Sequence, residues 1–219
     1  MEAQTEEQST SPRFRGVLHL VACVAAAPLG VVLVLHTKAG VAQASAIVFA
    51  ASVTAMLGVS SLFHCRGWAP GRKRWIALLD HAMIYALIAG TYTPFALLVL
   101  HASWRVPILA IVWGGGLLAT LARLLRPNAP AWLAAGTCLA LGWISLIVWP
   151  QIVRGIGFGA SLLLFAGGLA YTAGAIVYAR RRPDPLPHTF GYHEIFHALT
   201  VIAVACQYAT VAFFVLPRA

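Results

Sequence analysis

His193 and His197 stand four residues apart in the stretch Tyr192-His193-Glu194-Ile195-Phe196-His197. On a helix that spacing puts both imidazoles on one face, so each can offer a ring nitrogen to the same metal ion. His64 is a third imidazole, Ser60 lies one turn before it, and Asp80 is a carboxylate inside another apolar run. Three imidazoles and a nearby carboxylate suit zinc, which in catalytic sites takes three protein ligands and keeps a further position for water. In this reading His64, His193 and His197 are the metal ligands. Asp80 accepts a hydrogen bond from the water or takes its proton, and Ser60 orients a ligand or a substrate carbonyl.

Each histidine alone is more simply an interfacial residue with a local partner; the set is what points to a metal. His193-Glu194-x-x-His197 also matches the H-E-x-x-H pattern of zinc proteases, in which the glutamate is the general base. No Asp or Glu follows Glu194, so a downstream carboxylate ligand is absent. Glu194 is therefore expected to support the ligands, to pair with a loop arginine, or to cap its helix, where a carboxylate in the first turn is favoured by the dipole. His19, His36, His81, His101 and His188 each stand alone, with His188 a weak candidate for the metal region and Cys65 a weak candidate soft ligand.

The elements that must position these groups are membrane helices. The chain has 219 residues, 60% of them hydrophobic and 10% charged, where a soluble domain has roughly 25% charged residues. Long charge-free runs with a positive mean hydropathy describe a polytopic membrane protein. The net charge is +9, but the basic residues sit in gaps between apolar runs and form no continuous face, which argues against nucleic acid as a partner. Four scattered cysteines, Cys23, Cys65, Cys138 and Cys206, with no C-x-x-C, point to small buried side chains rather than a disulfide framework.

Residues 1–15 read as a polar, disordered tail, and 16–216 as one seven-helix membrane domain. The runs are Gly16–Leu35, Val41–Phe63, Trp75–Leu100, Val106–Leu125, Ala131–Trp149, Ile156–Ala179 and His193–Leu216. Each is about the 20 residues that a spanning helix needs. The gaps are too short for an extramembrane domain, so any chemistry happens within the bundle. Seven spans put the termini on opposite sides. Eleven basic residues, Arg13, Arg15, Arg66, Arg72, Lys73, Arg74, Arg123, Arg126, Arg180, Arg181 and Arg182, fall on the side of the N-terminus. Lys38, Arg105, Arg154 and Arg218 fall on the other. That bias places the N-terminus in the cytoplasm and the C-terminus outside. It also brings Ser60, His64, Asp80, His193 and His197 to one leaflet, from three helices far apart in sequence.

These residues carry a resemblance. Ser60-Ser61-Leu62-Phe63-His64, Leu79-Asp80-His81-Ala82-Met83-Ile84-Tyr85, Ala89-Gly90-Thr91-Tyr92-Thr93-Pro94 and Gly191-Tyr192-His193-Glu194-Ile195-Phe196-His197 resemble the bacterial hemolysin III family. That family belongs with the progestin and adipoQ receptors, which include the adiponectin receptors. The resemblance runs across nearly the whole chain from Arg13, and its motifs are specific as a set. It implies an all-α bundle of seven transmembrane helices in the bacterial inner membrane, with zinc near the cytoplasmic face. Its pattern falls on Ser60, His64, Asp80, His193 and His197. Through the similar alkaline ceramidases it implies hydrolysis of a lipid amide.

Two functions follow. One is a membrane-embedded zinc hydrolase acting on an acyl amide or ester of a membrane lipid, through a zinc-activated water. The other is a non-enzymatic regulator or sensor of membrane lipid state, or a pore former, in which zinc clamps helices together. No run shows the polar stripe that a water-filled lumen needs.

Overall fold

The computed structural model describes residue 12, residues 14–127 and residues 129–218. Most of the expected polar tail, residues 1–11 and Arg13, lies outside the described residues. Phe14 and Arg15, at its end, are described and make defined contacts given below.

Among the described residues seven helices are long and apolar enough to cross a membrane. They are α1 (Val17–Leu35), α2 (Val41–Cys65), α3 (Pro70–Leu98), α4 (Ala102–Leu125), α5 (Trp132–Ile156), α6 (Phe158–Arg180) and α7 (Tyr192–Arg218). The chain is an all-α, multi-pass membrane protein. Helix is the form that satisfies every backbone N–H and C=O within one apolar segment, so hydropathy alone predicts it well.

Two helix ends differ most from the sequence reading. α3 begins at Pro70 rather than Trp75, because proline is favoured in a first turn whose N–H has no partner to lose. α5 does not stop at Trp149. A tight 3₁₀ stretch, Ile144–Val148, absorbs the bend, and Pro150 then sits in the first turn of a continuing segment, Trp149–Ile156. Arg154 is thereby a helical residue, not a loop residue. The break before α6 is the single residue Gly157, whose φ of 86° is open to glycine and strained for other residues. Single π-helical turns, Ala110–Gly114 in α4 and Val211–Val215 in α7, let the axis adjust without leaving the helix.

α2 packs most extensively against α1 and α3, and α7 against α6. α7 also meets α1, which closes the bundle and brings the first helix beside the last. Large apolar side chains such as Val24, Leu35, Val106 and Leu125 face outward. The buried set includes Ser45, Ser52, Ser60, Asp80, Thr93, Ser161, Thr210 and three histidines. That inversion is expected in lipid, where small and polar residues hold helices together and ionisable ones turn inward.

Candidate metal centre in the helical bundle

α2 carries Ser60 and His64 in its last turns, α3 carries Asp80 in its first half, and α7 begins with His193 and His197. The fold brings all five together. One ring nitrogen each from His64, His193 and His197 lies within 4.8 Å of the others, so the three could hold a metal ion. Nε2 of His193 is 3.3 Å from Nε2 of His64. Two nitrogens bound tetrahedrally to zinc at about 2.0–2.1 Å are separated by roughly that distance. The ring centroids are 4.6 Å apart for His193 and His197, 4.7 Å for His64 and His193, and 5.1 Å for His64 and His197. Nδ1 of His197 is buried with no hydrogen-bond partner among the described residues. Asp80 is 8% exposed, and its Oδ2 stands 3.9 Å from Nε2 of His64.

His19 of α1 belongs to the same group, which the sequence reading missed by leaving it isolated. It is 2% exposed, its Nδ1 is 2.9 Å from Oγ of Ser60, and its ring stacks on His197 at 3.8 Å with an interplanar angle of 10°. One signal was available. His19 lies one turn after Arg15, at the end of α1 that topology assigns to the same leaflet as the other histidines.

Glu194 faces away from the imidazoles' task. It is fully buried; Oε2 accepts the backbone N–H of Gly191 at 2.8 Å, and Oε1 accepts Nε–H of Arg15 at 2.9 Å. The carboxylate caps α7 and ties it to the segment before α1, the loop-arginine pairing and helix-cap expectations together. Both oxygens are engaged, so the H-E-x-x-H spacing here does not present a general base. The same segment is held by the N–H of Phe14 on Thr189 O, 3.4 Å, and by the Cys65 thiol on Arg15 O, 3.7 Å. Asp184 receives the N–H of Tyr192 at 2.9 Å, which closes the α6–α7 loop onto the start of α7.

The remaining weak candidates are elsewhere or otherwise occupied. His81 is bonded through Nδ1 to Ala77 O, one turn back, at 2.8 Å. His36 is likewise bonded through Nδ1 to Val32 O, at 2.9 Å. His188 is exposed in the loop before α7. Cys65 is exposed at the end of α2.

A cavity of about 240 Å³ runs from this cluster into the bundle. Its polar end is His19, Ser60, His64, Asp80, His193 and His197, while Phe95, Leu100, Val148 and Ile152 line the far end. From Asp80 to Phe95 along α3 is about 22 Å at 1.5 Å per residue, a large part of the hydrocarbon thickness of about 30 Å. The cavity is therefore a polar head with a long apolar body.

Residues 7–208 match the model of the family described as Haemolysin-III related. The chain belongs to the haemolysin III family. Hemolysin-3 of Bacillus cereus is 31% identical over 212 residues, 93% of this chain and 91% of that protein. The Hemolysin-3 homolog of Bacillus subtilis (strain 168) is 30% identical over 142 residues, covering 65% of this chain and 64% of its own length. The heptahelical transmembrane protein ADIPOR2 of Oryza sativa subsp. japonica is 29% identical over 190 residues, 78% of this chain and 82% of its own. The haemolysin III resemblance and the kinship with adiponectin-receptor-like proteins read from the motifs are thus both found. In this haemolysin III family member the residues of the expected pattern meet at one end of the bundle, and α1 adds His19 to them.

Proposed function

We propose that this protein is a membrane-embedded zinc hydrolase acting on an acyl amide or ester of a membrane lipid. The observation that carries the reading is the convergence of His64, His193 and His197 at the polar end of an apolar cavity. The donor set fits zinc: three imidazoles, a close pair of Nε2 atoms and a buried Nδ1 without a hydrogen-bond partner among the described residues. Zinc bound there would supply a Lewis acid that polarises a carbonyl and activates water near neutral pH.

The chain's own residues account for the rest. His64, His193 and His197 would hold the metal, leaving room for water or substrate because three ligands converge among the described residues. Asp80, beside His64 and almost dry, receives a proton at its carboxylate and returns it to the leaving group. Ser60 orients a ligand or the substrate carbonyl. The apolar body of the cavity excludes water and holds the acyl chain, so the scissile carbonyl sits at the polar head. The basic-residue bias puts this head on the cytoplasmic side.

A second reading has one observation in its favour. The close His64–His193 pair joins α2 to α7 across 129 residues of sequence, so the same metal serves equally as a clamp in a non-enzymatic regulator or sensor of lipid state. The pore-forming version lacks such support, since the cavity walls beyond the cluster are mostly apolar. Detergent-purified, zinc-loaded protein incubated with ceramides, acyl amides and phospholipid esters tests the first reading. Fatty-acid release that Asp80→Asn abolishes supports it, and zinc-loaded protein that releases none turns the argument to the second.

A further inference from the structure

We infer that His19 of α1 is a positioning residue of the histidine site, acting on His197 through its ring face and anchored by the Ser60 hydroxyl. The inference rests on the metal reading above. His19 is not one of the three residues whose nitrogens converge. It is nevertheless as deeply buried as His197, each being 2% exposed. An imidazole taken out of water without a purpose costs free energy, because one ring nitrogen is a donor and the other an acceptor.

Two contacts say what the burial achieves. The His19 ring lies parallel to the His197 ring at 3.8 Å. Rotation of His197 about its last side-chain bond would drive its edge into the His19 face. The stack therefore restricts the direction in which the His197 nitrogens point, which a ligand set needs. The second contact restricts His19 itself, since its Nδ1 is 2.9 Å from the Ser60 hydroxyl.

One side chain of α1, itself held by the hydroxyl of Ser60 on α2, thus holds a ligand ring on α7. The arrangement exists because the bundle closes α1 against α7.

Three variants separate the two contacts: His19→Phe keeps a stacking ring and loses the hydrogen bond to Ser60, His19→Asn keeps a hydrogen-bonding group and loses the stack, and His19→Ala loses both. Each is purified in detergent beside the parent. Zinc stoichiometry is read by mass spectrometry, zinc affinity by chelator competition, and site geometry by the visible absorption of the cobalt-loaded protein. The inference expects about one zinc per chain in all three variants. It expects affinity weakened by about 10–100-fold in His19→Ala, the range found when groups that orient ligands are removed. His19→Phe restores a parent-like cobalt spectrum, and His19→Asn does not.

Unchanged affinity and spectrum in His19→Ala would overturn the inference while leaving the metal site in place. Loss of zinc from all three variants would also overturn it, by making His19 a ligand. Parent protein without bound metal would refute the site reading and this one with it. Should His19→Ala fail to fold, the contrast between the His19→Phe and His19→Asn spectra carries the test, and identical spectra would overturn it.

Discussion

Nε2 of His64 and Nε2 of His193 stand 3.3 Å apart, although 129 residues of chain separate them. A shared hydrogen between two such nitrogens would draw them somewhat closer, whereas tetrahedral zinc holds them at about this distance. We expect detergent-purified protein to carry about one zinc per chain, by analogy with three-ligand sites. His64→Ala, His193→Ala and His197→Ala should each remove most of it. Elemental mass spectrometry checks this. Well-folded parent protein without metal would leave the three histidines as packing residues and remove the basis of the hydrolase reading.

Asp80→Asn is expected to retain the metal and lose lipid hydrolysis by about two orders of magnitude or more, the usual weight of a general acid–base group. The amide keeps the shape of the side chain but cannot take a proton. Zinc content and fatty-acid release measured on the same preparation separate the two effects. Hydrolysis that survives the substitution would move the proton-transfer role elsewhere.

The Arg15–Glu194 pair should be structural. Glu194 is fully buried, and the Arg15 side chain is 25% exposed. Removing one partner of a buried pair leaves an uncompensated charge at a cost of about 3–5 kcal/mol; partial exposure here reduces that to about 2 kcal/mol for Arg15→Ala. Adding Glu194→Gln to Arg15→Ala should recover part of the loss, because the stranded charge is gone. Thermal unfolding in detergent reads both, and an Arg15→Ala midpoint equal to the parent's would refute the assignment.

Gly90 of α3 packs closely against Ser52 of α2. A Cβ placed on Gly90 would fall 2.5 Å from Cβ of Ser52 and closer still to its Oγ. Gly90→Ala is therefore expected to lower thermal stability by about 1–3 kcal/mol, the range for overpacking. Ser52→Gly in the same chain should return part of it. Additive losses in the double variant would show that the two residues do not meet.

Much of this protein is legible along the chain because lipid makes hydropathy a local property. A stretch of about 20 apolar residues must satisfy its own backbone, so it must be helix. The seven spans and the depth of Ser60, His64, Asp80, His193 and His197 follow from that alone. Helix ends were less legible, since Pro70 and Pro150 start or continue helices where proline suggests a stop.

Lateral order is another matter. Hydropathy sets how deep a residue lies but not which helices are neighbours, and that is decided by packing around Gly90, Gly174 and similar close contacts. Only the tertiary structure therefore set α1 beside α7, turned the isolated His19 into the stacking partner of His197, and gave Glu194 to Arg15 and the Gly191 N–H. The sequence by itself determined which groups share a leaflet; the closing of the bundle decided which of them touch.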